Sequence, residues 1–587
     1  MPLIGTAGHV DHGKSTLIER LTGRDPDRWE EEKRRGLTID LGFAWTVLPS
    51  GTEVSFVDVP GHERYLKNML AGVEAIDIAL FVVAADEGWM PQSEEHLAVL
   101  DLLDVSRGVL TLTKRDLVDD ELAELAEMDA AERLEGTSLA GAPVIPVSAT
   151  HGLGIDELVE RLDALATRVD PPDIGRPRMW IDRSFSVRGA GTVVTGTLLD
   201  GTLAVDQEVT VYPAGAEVRI RGIQTHERTV DQAGPGRRVA LNLSGIEHRE
   251  VRRGDMVGLR GHWDLSNRFS AAIRTPRYVR DLDPRGAYQL HIGSGTHQMR
   301  FLGVDQGHAV VASDSPLPVA TGDPFIVRDT GRRLVTAGGR VLDASPGATR
   351  QALRRAHRLE DAATPGEIAD VLLEMRGSDT EARLEAHSGG GRPAGGIRVG
   401  DRFLAPGESR RLGEAVHAMV AEQHRAHPLR PGAPVATLAE HLGVSQQVVE
   451  RIVADSDHLV RIGPEVAEKD HRSDLQPAAA ARWEQARESL GRSLAVPTTD
   501  ELGLDPEVIH LMLRRGELVR VSGQLVYLPE QIERIRAHIQ AMPSGFRVAD
   551  FRDATGLSRK YAVPILEWAD HEGLTRRTGD TRTPRSH

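Results

Sequence analysis

The 587-residue sequence contains no cysteine, which excludes disulfide bonds, thiolate metal ligands and a cysteine nucleophile. Lysine is also scarce: 6 lysines stand beside 65 arginines, and two of the six lie in the motifs described below. The formal net charge is −16, so a protein that coats nucleic acid without specificity is disfavoured. Any contact with nucleic acid must therefore be local.

Long apolar runs are absent as well. No stretch of about 18 apolar residues occurs, and the N-terminal MPLIGTAGHV has no basic segment followed by an apolar one. We therefore expect no membrane-spanning helix, no signal peptide and a cytoplasmic location. The length exceeds what a single core supports and predicts about three to five domains.

The segment GTAGHVDHGKST, at residues 5–16, predicts a strand, a glycine-rich loop and a helix. Residues 8–15 match the phosphate-loop pattern G-x-x-x-x-G-K-[ST]. Gly8 and Gly13 let the backbone turn its N–H groups toward phosphates, Lys14 can reach the β and γ oxygens, and Ser15 can ligate Mg²⁺. The predicted phosphate-binding residues are Gly8, His9, Val10, Asp11, His12, Gly13, Lys14, Ser15, Thr16 and, further along the chain, Gly61.

Three more motifs follow, in DVPGHE, TKRD and VIPVSATHG, each after an apolar run. In DVPGHE, Asp58 can hold Mg²⁺ through water and the N–H of Gly61 can contact a γ-phosphate. In TKRD, Asp116 can accept two hydrogen bonds from guanine N1–H and its amino group, which adenine lacks. The predicted guanine-binding residues are Thr113, Lys114, Asp116, Ser148 and Ala149. This order of motifs predicts a doubly wound α/β domain with its ligand at the carboxyl ends of the strands.

A fifth segment, RGLTID, lies between the loop and Asp58. Its Thr38 is the candidate for a second hydroxyl ligand of Mg²⁺, which would order the segment only when a γ-phosphate is present. The predicted metal ligands are therefore Ser15, Thr38 and Asp58.

Together, GHVDHGKST, RGLTID, DVPGHE and TKRD resemble the translational GTPases. The resemblance implies GTP hydrolysis with Mg²⁺, achieved mostly by positioning and charge stabilisation. It also implies that His62 orients the attacking water, with Val10 and Leu37 as a hydrophobic gate. Two departures are minor: Ser15 replaces a common threonine, and TKRD replaces NKxD without changing the aspartate that reads the base.

After a proline-rich linker that ends near Trp180, two series of short strands with glycine turns predict two small β-barrels. A GTPase domain followed by two barrels resembles elongation factor Tu, and that resemblance implies a body that carries an aminoacyl-tRNA.

The remaining C-terminal part is helical in pattern and repetitive. Three segments share a short apolar helix, a turn at Gly443, Gly503 or Gly556, a second amphipathic helix and a strand-like tail. This layout predicts tandem winged helices. A fainter copy spans residues 364–404, with HSGGGRPAGG as an expanded, flexible wing loop. Any single module could be a scaffold, but four in a row on a translational GTPase favour a binding function.

The fold class is thus predicted to be multidomain: an α/β P-loop GTPase domain, two β-barrels and tandem winged helices. The expected limits are 1–173 for the GTP-binding domain, 174–265 and 266–345 for the barrels, and 346–405, 406–468, 469–529 and 530–587 for the winged helices.

The last module carries a local basic surface, because eight basic and six acidic residues follow from Gly545 onward. The residues that we expect to contact RNA are Arg559, Lys560, Tyr561, Arg576 and Arg577, with Arg582 and Arg585 in the wing and tail. Such contacts would combine phosphate binding with stacking on an unpaired base. The alternative is an ordinary solvated helix and tail.

This combination resembles the SelB family of bacterial selenocysteine-specific elongation factors over essentially the whole chain. The resemblance implies a monomeric, ribosome-stimulated GTPase that uses GTP, GDP and Mg²⁺ and contacts no membrane. It implies delivery of selenocysteyl-tRNA to the ribosome at UGA codons. The terminal winged helix would bind an mRNA hairpin, the selenocysteine insertion element.

The stretch IDRSF contains candidate residues of an aminoacyl pocket. Elongation factor Tu carries two acidic residues where this chain has Asp182 and Arg183. A selenol is largely an anion at neutral pH, whereas the serine that the same tRNA first carries is neutral. An arginine at this position would therefore attract the selenolate and favour it over serine. By resemblance, Arg238 completes the pocket, although Arg237 could be the aligned residue. Alternatively, Asp182 and Arg183 pair with other charges on the barrel.

Three other classes compete with this interpretation. An initiation-factor gamma-like GTPase shares the three-domain body but often has a zinc-binding cysteine insert and no winged-helix tail. The GTPase subunit of sulfate adenylylation shares the barrels but would end near residue 430 of this numbering and needs a catalytic partner. A DNA-binding regulator would not need two barrels, and the acidic balance disfavours it.

Overall fold

The structure, a computed structural model, describes residues 1–26, 41–60, 76–189 and 191–585. The chain divides into two compact units, Met1–Pro406 and Gly407–His587. Within the described ranges, no helix has the length and apolar character needed to cross a bilayer.

The first unit begins with a six-stranded sheet flanked by helices. Its strands are β1 (Leu3–Ala7), β2 (Gly42–Val47), β3 (Glu53–Asp58), β4 (Ile78–Ala84), β5 (Gly108–Thr113) and β6 (Val144–Pro146), and its helices are α1 (Lys14–Thr22), α2 (Pro91–Leu102), α3 (Asp120–Leu134) and α4 (Ile155–Ala166). The strand order is β2-β3-β1-β4-β5-β6, with β2 antiparallel to β3 and the other pairs parallel. Every residue of β4 is buried, as expected for a parallel strand covered on both faces.

A closed β-barrel follows the sheet. Its strands and the short strands attached to it are β7 (Arg178–Trp180), β8 (Arg183–Val187), β9 (Gly191–Leu199), β10 (Leu203–Ala204), β11 (Glu208–Tyr212), β12 (Ala216–Thr225), β13 (Arg228–Val230), β14 (Gln232–Ala233), β15 (Arg238–Ser244) and β16 (Met256–Gly258). Six strands close the barrel, because β12 at one end of the order β11-β16-β7-β9-β15-β12 pairs back with β11. In β9 and β15 buried residues alternate with more exposed ones, so alternate side chains fill the interior.

A second closed barrel has the order β17-β20-β19-β18-β21-β22. Its strands are β17 (Ser266–Arg274), β18 (Tyr288–Ile292), β19 (Gly295–Asp305), β20 (His308–Leu317), β21 (Pro324–Asp329) and β22 (Val335–Asp343). Phe269 and Phe325 meet edge to face in its core, with ring centroids 5.5 Å apart.

The first unit ends in a small helical module. It contains α5 (Thr349–Glu360), α6 (Pro365–Arg376), β23 (Ser378–Thr380), α7 (Glu381–His387), β24 (Ile397–Val399) and β25 (Arg402–Leu404). Helix α5 packs on the second barrel. The glycine-rich segment was predicted to be a flexible wing loop. It begins with a hydrogen-bonded turn, in which the buried Ser388 hydroxyl donates to the carbonyl of Gly391 and accepts from its N–H.

The second unit alternates helices with two- and three-stranded sheets. Its elements are α8 (Pro406–Ala426), β26 (Ala433–Pro434), α9 (Val435–Leu442), α10 (Gln446–Ala454), β27 (Leu459–Ile462), β28 (Glu465–Glu468), α11 (Pro477–Gly491), α12 (Pro506–Arg514), β29 (Val519–Arg520), β30 (Val526–Tyr527), α13 (Pro529–Gln540), β31 (Phe546–Arg547), α14 (Val548–Thr555), α15 (Arg559–His571), β32 (Thr575–Thr578) and β33 (Thr581–Pro584). The predicted fold class is confirmed, and the predicted domain limits remain predictions.

The three predicted turn glycines adopt the left-handed backbone region, with φ of 65° at Gly443, 64° at Gly503 and 70° at Gly556. One helix prediction is wrong, because the residues before Gly503 form turns and not an α-helix. Thr498 and Glu501 hydrogen-bond each other's backbone N–H, as in a helix N-terminal cap. The glycine follows two residues later and ends the segment before a helix can develop.

The third and fourth modules of the tail share one hydrophobic core. A single cluster of buried side chains includes Trp483 and Met512 from the third module and Phe551 and Ile565 from the fourth. Helix α13 joins the two parts, and its Ile535 is completely buried. The two modules should therefore unfold together.

Replacing Ile535 with alanine tests this shared core. We expect the free energy of unfolding to fall by about 2–5 kcal/mol, because the substitution leaves a cavity in the core. Hydrogen-exchange protection should fall throughout residues 477–585 of the full chain, while Gln540→Ala, exposed on the same helix, should change little. Loss of protection confined to residues 546–585 would show that the modules are independent.

Candidate nucleotide site and adjoining arginine pocket

The glycine-rich loop joins β1 to α1 and needs glycine at its ends. Gly8 has φ of 129°, and a Cβ there would lie 2.0 Å from the carbonyl oxygen of Val82. Gly13, with φ of 85°, precedes the first turn of α1. The Nζ of buried Lys14 donates to the carbonyls of Gly8 at 3.1 Å and His9 at 2.6 Å. The loop therefore folds around the lysine, with the N-terminus of α1 beside it, an arrangement suited to phosphate.

A buried carboxylate at the end of β3 connects three elements of the site. Asp58 accepts hydrogen bonds from the hydroxyls of Thr6 on β1 and Ser15 on α1, each at 2.7 Å. The Ser15 hydroxyl and the Asp58 carboxylate are hard oxygen ligands of the kind Mg²⁺ prefers. No group of three or more His, Asp or Glu side chains that could hold a metal occurs among the residues described. Mg²⁺ needs none, because one or two protein oxygens and the phosphates usually hold it.

Helix α2 supplies two contacts to the loop that the sequence did not reveal. The backbone N–H of Gly8 donates to Nδ1 of His96 at 2.9 Å, and that of Val10 donates to Oε1 of Gln92 at 3.2 Å. Burial, reinforced by the charge of Lys14, lowers the pKa of His96 to about 3. In the sequence PQSEEH, Gln92 and His96 are four residues apart, which places them on one face of a helix. This spacing is the one local sequence signal of the pair.

A second buried histidine belongs to the loop itself. Burial lowers the pKa of His12 to about 4, with the neighbouring His9 adding to the effect. Nδ1 of the His12 ring lies 3.4 Å from the carbonyl oxygen of Val82. His12 would therefore contact a phosphate through its backbone N–H and not through its ring. The carbonyl of His12 accepts a hydrogen bond of 2.6 Å from the Thr113 hydroxyl, which ties the guanine motif to the loop.

The other residues of the predicted guanine site lie after β5 and β6. Lys114 donates from Nζ to Oε1 of Glu87 at 2.7 Å. The Ser148 hydroxyl holds the pKa of Asp116 below its usual value, so this carboxylate is charged and ready to accept hydrogen bonds. Ser148 is buried and Ala149 is half-buried.

Thr38, Gly61 and His62 lie outside the described residues, as does Leu37. Their roles as metal ligand, γ-phosphate contact, water-orienting residue and gate remain predictions. Val10, the other proposed gate residue, is half-buried in the loop.

The three residues of the predicted selenocysteyl pocket come together at a cavity of about 400 Å³ between the first barrel and β2. The guanidinium of Arg238 donates to both oxygens of Asp182, with Nη2 to Oδ1 at 3.1 Å. The Thr195 hydroxyl donates to the same Oδ1 at 2.6 Å and accepts from Nη2 of Arg238 at 3.2 Å. Arg183 and Arg238 line the cavity, and Asp182 orients Arg238 from behind.

An aromatic residue of the nucleotide domain forms a further wall of this cavity. The ring centroid of Phe43 lies 3.5 Å from Cζ of Arg238 and 5.7 Å from Cζ of Arg183. Arg183 also donates from Nη2 to the carbonyl of Leu41 at 2.8 Å. Arg237, the alternative to Arg238, does not line the cavity, and its Nη1 lies 3.7 Å from Oε2 of Glu53. The geometry therefore favours Arg238.

The predicted RNA contacts differ in exposure. Arg559 and Lys560 are exposed in the first turn of α15, whereas Tyr561 is half-buried against the shared core. Arg576 and Arg577 are exposed on β32. Arg582 does not belong to this basic surface, because it is buried and its Nη2 lies 2.8 Å from Oδ2 of Asp570.

Comparison with known proteins agrees with this architecture. Residues 1–168 match the Elongation factor Tu GTP binding domain, residues 191–258 match Elongation factor Tu domain 2, and residues 537–583 match the winged helix of elongation factor SelB. Elongation factor SelB from Methanococcus maripaludis, in complex with the GTP analogue GPPNHP, has a TM-score of 0.53 and 25% identity over 59% of this chain and 79% of that chain.

Two further relatives match over the whole length. The crystal structure of a bacterial selenocysteine-specific elongation factor, EF-Sec, has a TM-score of 0.76 and 27% identity over 100% of both chains. The selenocysteine-specific elongation factor of Desulfomicrobium baculatum is 33% identical over 99% of both chains. The chain therefore belongs to the family of selenocysteine-specific elongation factors.

Proposed function

We propose that this protein carries selenocysteyl-tRNA to the ribosome at UGA codons and is recruited there by an mRNA hairpin. The observation that supports this most strongly is the cavity at which Arg183 and Arg238 meet beside Asp182. We further propose that the protein acts as a cytoplasmic monomer without membrane contact.

The nucleotide proposed for the loop is GTP, with GDP as product. The phosphates would contact Nζ of Lys14 and the loop N–H groups other than those of Gly8 and Val10, which donate to helix α2. Asp116 would accept two hydrogen bonds from guanine. A GTP analogue bound to the Methanococcus relative supports this choice. Mg²⁺ held by Ser15, Thr38 and Asp58 would neutralise charge on the phosphates.

Hydrolysis would depend on positioning more than on covalent chemistry. In the proposal His62 orients the attacking water, Gly61 contacts the γ-phosphate, and Lys14 offsets the charge that develops on the phosphate oxygens. We expect the ribosome to stimulate the reaction by completing this geometry.

Discrimination at the aminoacyl end would rest on charge. The selenol of selenocysteine is largely ionised at neutral pH, whereas the hydroxyl of serine is neutral. A charge-assisted hydrogen bond contributes roughly 1.5–3 kcal/mol, or about 10- to 150-fold in affinity, so two arginines could supply ~10³-fold. One negative charge on Asp182 leaves the pair of arginines with a net positive charge for the selenolate.

Recruitment by the hairpin would use the exposed basic residues of the last module. Arg559 and Lys560 at the start of α15, with Arg576 and Arg577 on the wing, suit phosphate contacts on RNA. Such binding weakens as salt is raised. Tyr561 has only part of its ring available for stacking.

Protection of the aminoacyl ester tests the proposal directly. The GTP-bound protein is mixed with selenocysteyl-tRNA or with seryl-tRNA of the same tRNA body, and deacylation is followed. Slow deacylation of the selenocysteyl form alone is expected. Equal protection of both would contradict discrimination by charge in the pocket. Protection of neither would contradict the proposed carrier function.

Replacing Arg238 with methionine should reduce affinity for selenocysteyl-tRNA by about 10- to 150-fold, since one charge-assisted hydrogen bond is lost. Binding of seryl-tRNA should change much less. Equilibrium binding of both tRNAs gives the ratio, and circular dichroism checks the fold, because Asp182 loses its partner. Arg237→Met, at the residue that immediately precedes β15, is the matched control. An equal loss with Arg237→Met would place the specificity elsewhere.

Replacing Asp116 with asparagine should shift preference from GTP toward xanthosine triphosphate, because the amide donates where the carboxylate accepts. Competition binding with the two nucleotides measures the shift. Asp120→Asn, an exposed substitution beside Arg115, should leave the preference unchanged. Retained guanine selectivity in the Asp116 variant would contradict the proposed base contact.

A further inference from the structure

Helix α2 contacts the phosphate loop with one face. Gln92 and His96 lie one turn apart and accept the N–H groups of Val10 and Gly8, at 3.2 and 2.9 Å. His96 is 1% exposed. Because its Nδ1 is an acceptor and its ring is neutral, the proton of the imidazole lies on Nε2. Water cannot easily replace this acceptor, so its loss would leave the buried N–H of Gly8 without a partner.

The same helix contacts the second barrel with another face. Arg277, which precedes β18, donates from Nε and Nη2 to the two carboxylate oxygens of Glu94, at 2.5 and 2.6 Å. Next to this pair, Oε1 of Glu95 accepts the backbone N–H of Val335 on β22 at 3.3 Å. Residues 92–96 thus bind the loop and the barrel within two turns of one helix.

We propose that His96 is a positioning residue that links the phosphate loop to the second barrel through helix α2. The inference rests on the proposed binding of GTP by the loop. A helix turn packed in a dense interior moves as a unit, so a displacement of Gly8 moves His96 together with Glu94. Coupling between sites is reciprocal, and loosening the Arg277–Glu94 contact therefore loosens the loop.

A double-mutant cycle tests this link in the full chain. Dissociation of fluorescent GDP and of a fluorescent GTP analogue is measured by stopped flow. His96→Leu, which keeps the bulk but removes the acceptor, should speed dissociation about 3- to 30-fold. His96→Asn, which returns an acceptor near the position of Nδ1, should restore most of the difference.

The second arm of the cycle is Arg277→Met. Alone it should speed dissociation about 2- to 5-fold, in line with a partly exposed ion pair. In the His96→Leu background it should have no further effect, because the link is already broken. Arg300→Met, exposed on β19 of the same barrel, serves as the matched control.

Three results would overturn the inference: unchanged dissociation in His96→Leu, no rescue by His96→Asn, or fully additive effects of His96→Leu and Arg277→Met. Thermal unfolding of every variant separates a local change from general destabilisation, since a merely structural role would give no rescue and no non-additivity. If the wild-type protein binds no guanine nucleotide, it is the proposed function that fails.

Discussion

The ion pair between Asp182 and Arg238 is the interaction on which the proposed recognition of selenocysteine depends. Both side chains are largely withdrawn from solvent, at 9% and 16% exposed. A buried charge without a partner costs several kcal/mol, so each of the two residues needs the other. In the proposed function, Arg183 beside the pair would provide the excess positive charge that an anionic side chain can neutralise and a hydroxyl cannot.

This pocket is physically close to the nucleotide site. Phe43, which stacks on Arg238, lies on β2 next to Gly42, and Gly42 pairs in register with Asp58 at the end of β3. The carboxylate proposed to hold the metal and the wall of the proposed aminoacyl pocket therefore share one pair of antiparallel strands. Displacement of these strands would affect both sites.

Local motifs allowed much of the fold and the backbone of the glycine-rich loop to be predicted. The loop around Gly8 and the turns at Gly443 and Gly556 depend on neighbouring residues, and the structure has the backbone these motifs require. The prediction of a helix before Gly503 was wrong. The sequence pattern alone did not show how few residues separate the cap at Thr498 and Glu501 from the glycine.

Contacts between distant residues could not be predicted in this way. His96 and Gly8 are separated by 88 positions in the chain, and their hydrogen bond exists only because α2 packs beside β1. The choice between Arg237 and Arg238 depends on which of these neighbouring side chains lies at the cavity where β15 begins, and local sequence does not show this. Phe43 joins the pocket only through the docking of the barrel beside β2.

The most direct test of charge recognition compares selenocysteyl-tRNA with cysteyl-tRNA, both joined by a non-hydrolysable 3′-amide to the same tRNA body. The two side chains differ little in shape, but the thiol is the weaker acid. Affinity for the GTP-bound protein is measured across a pH range that spans the pKa of that thiol, determined on the same tRNA. We expect a large preference for selenocysteine below this pKa that narrows as the thiol ionises. A preference that does not change with pH would contradict recognition by charge.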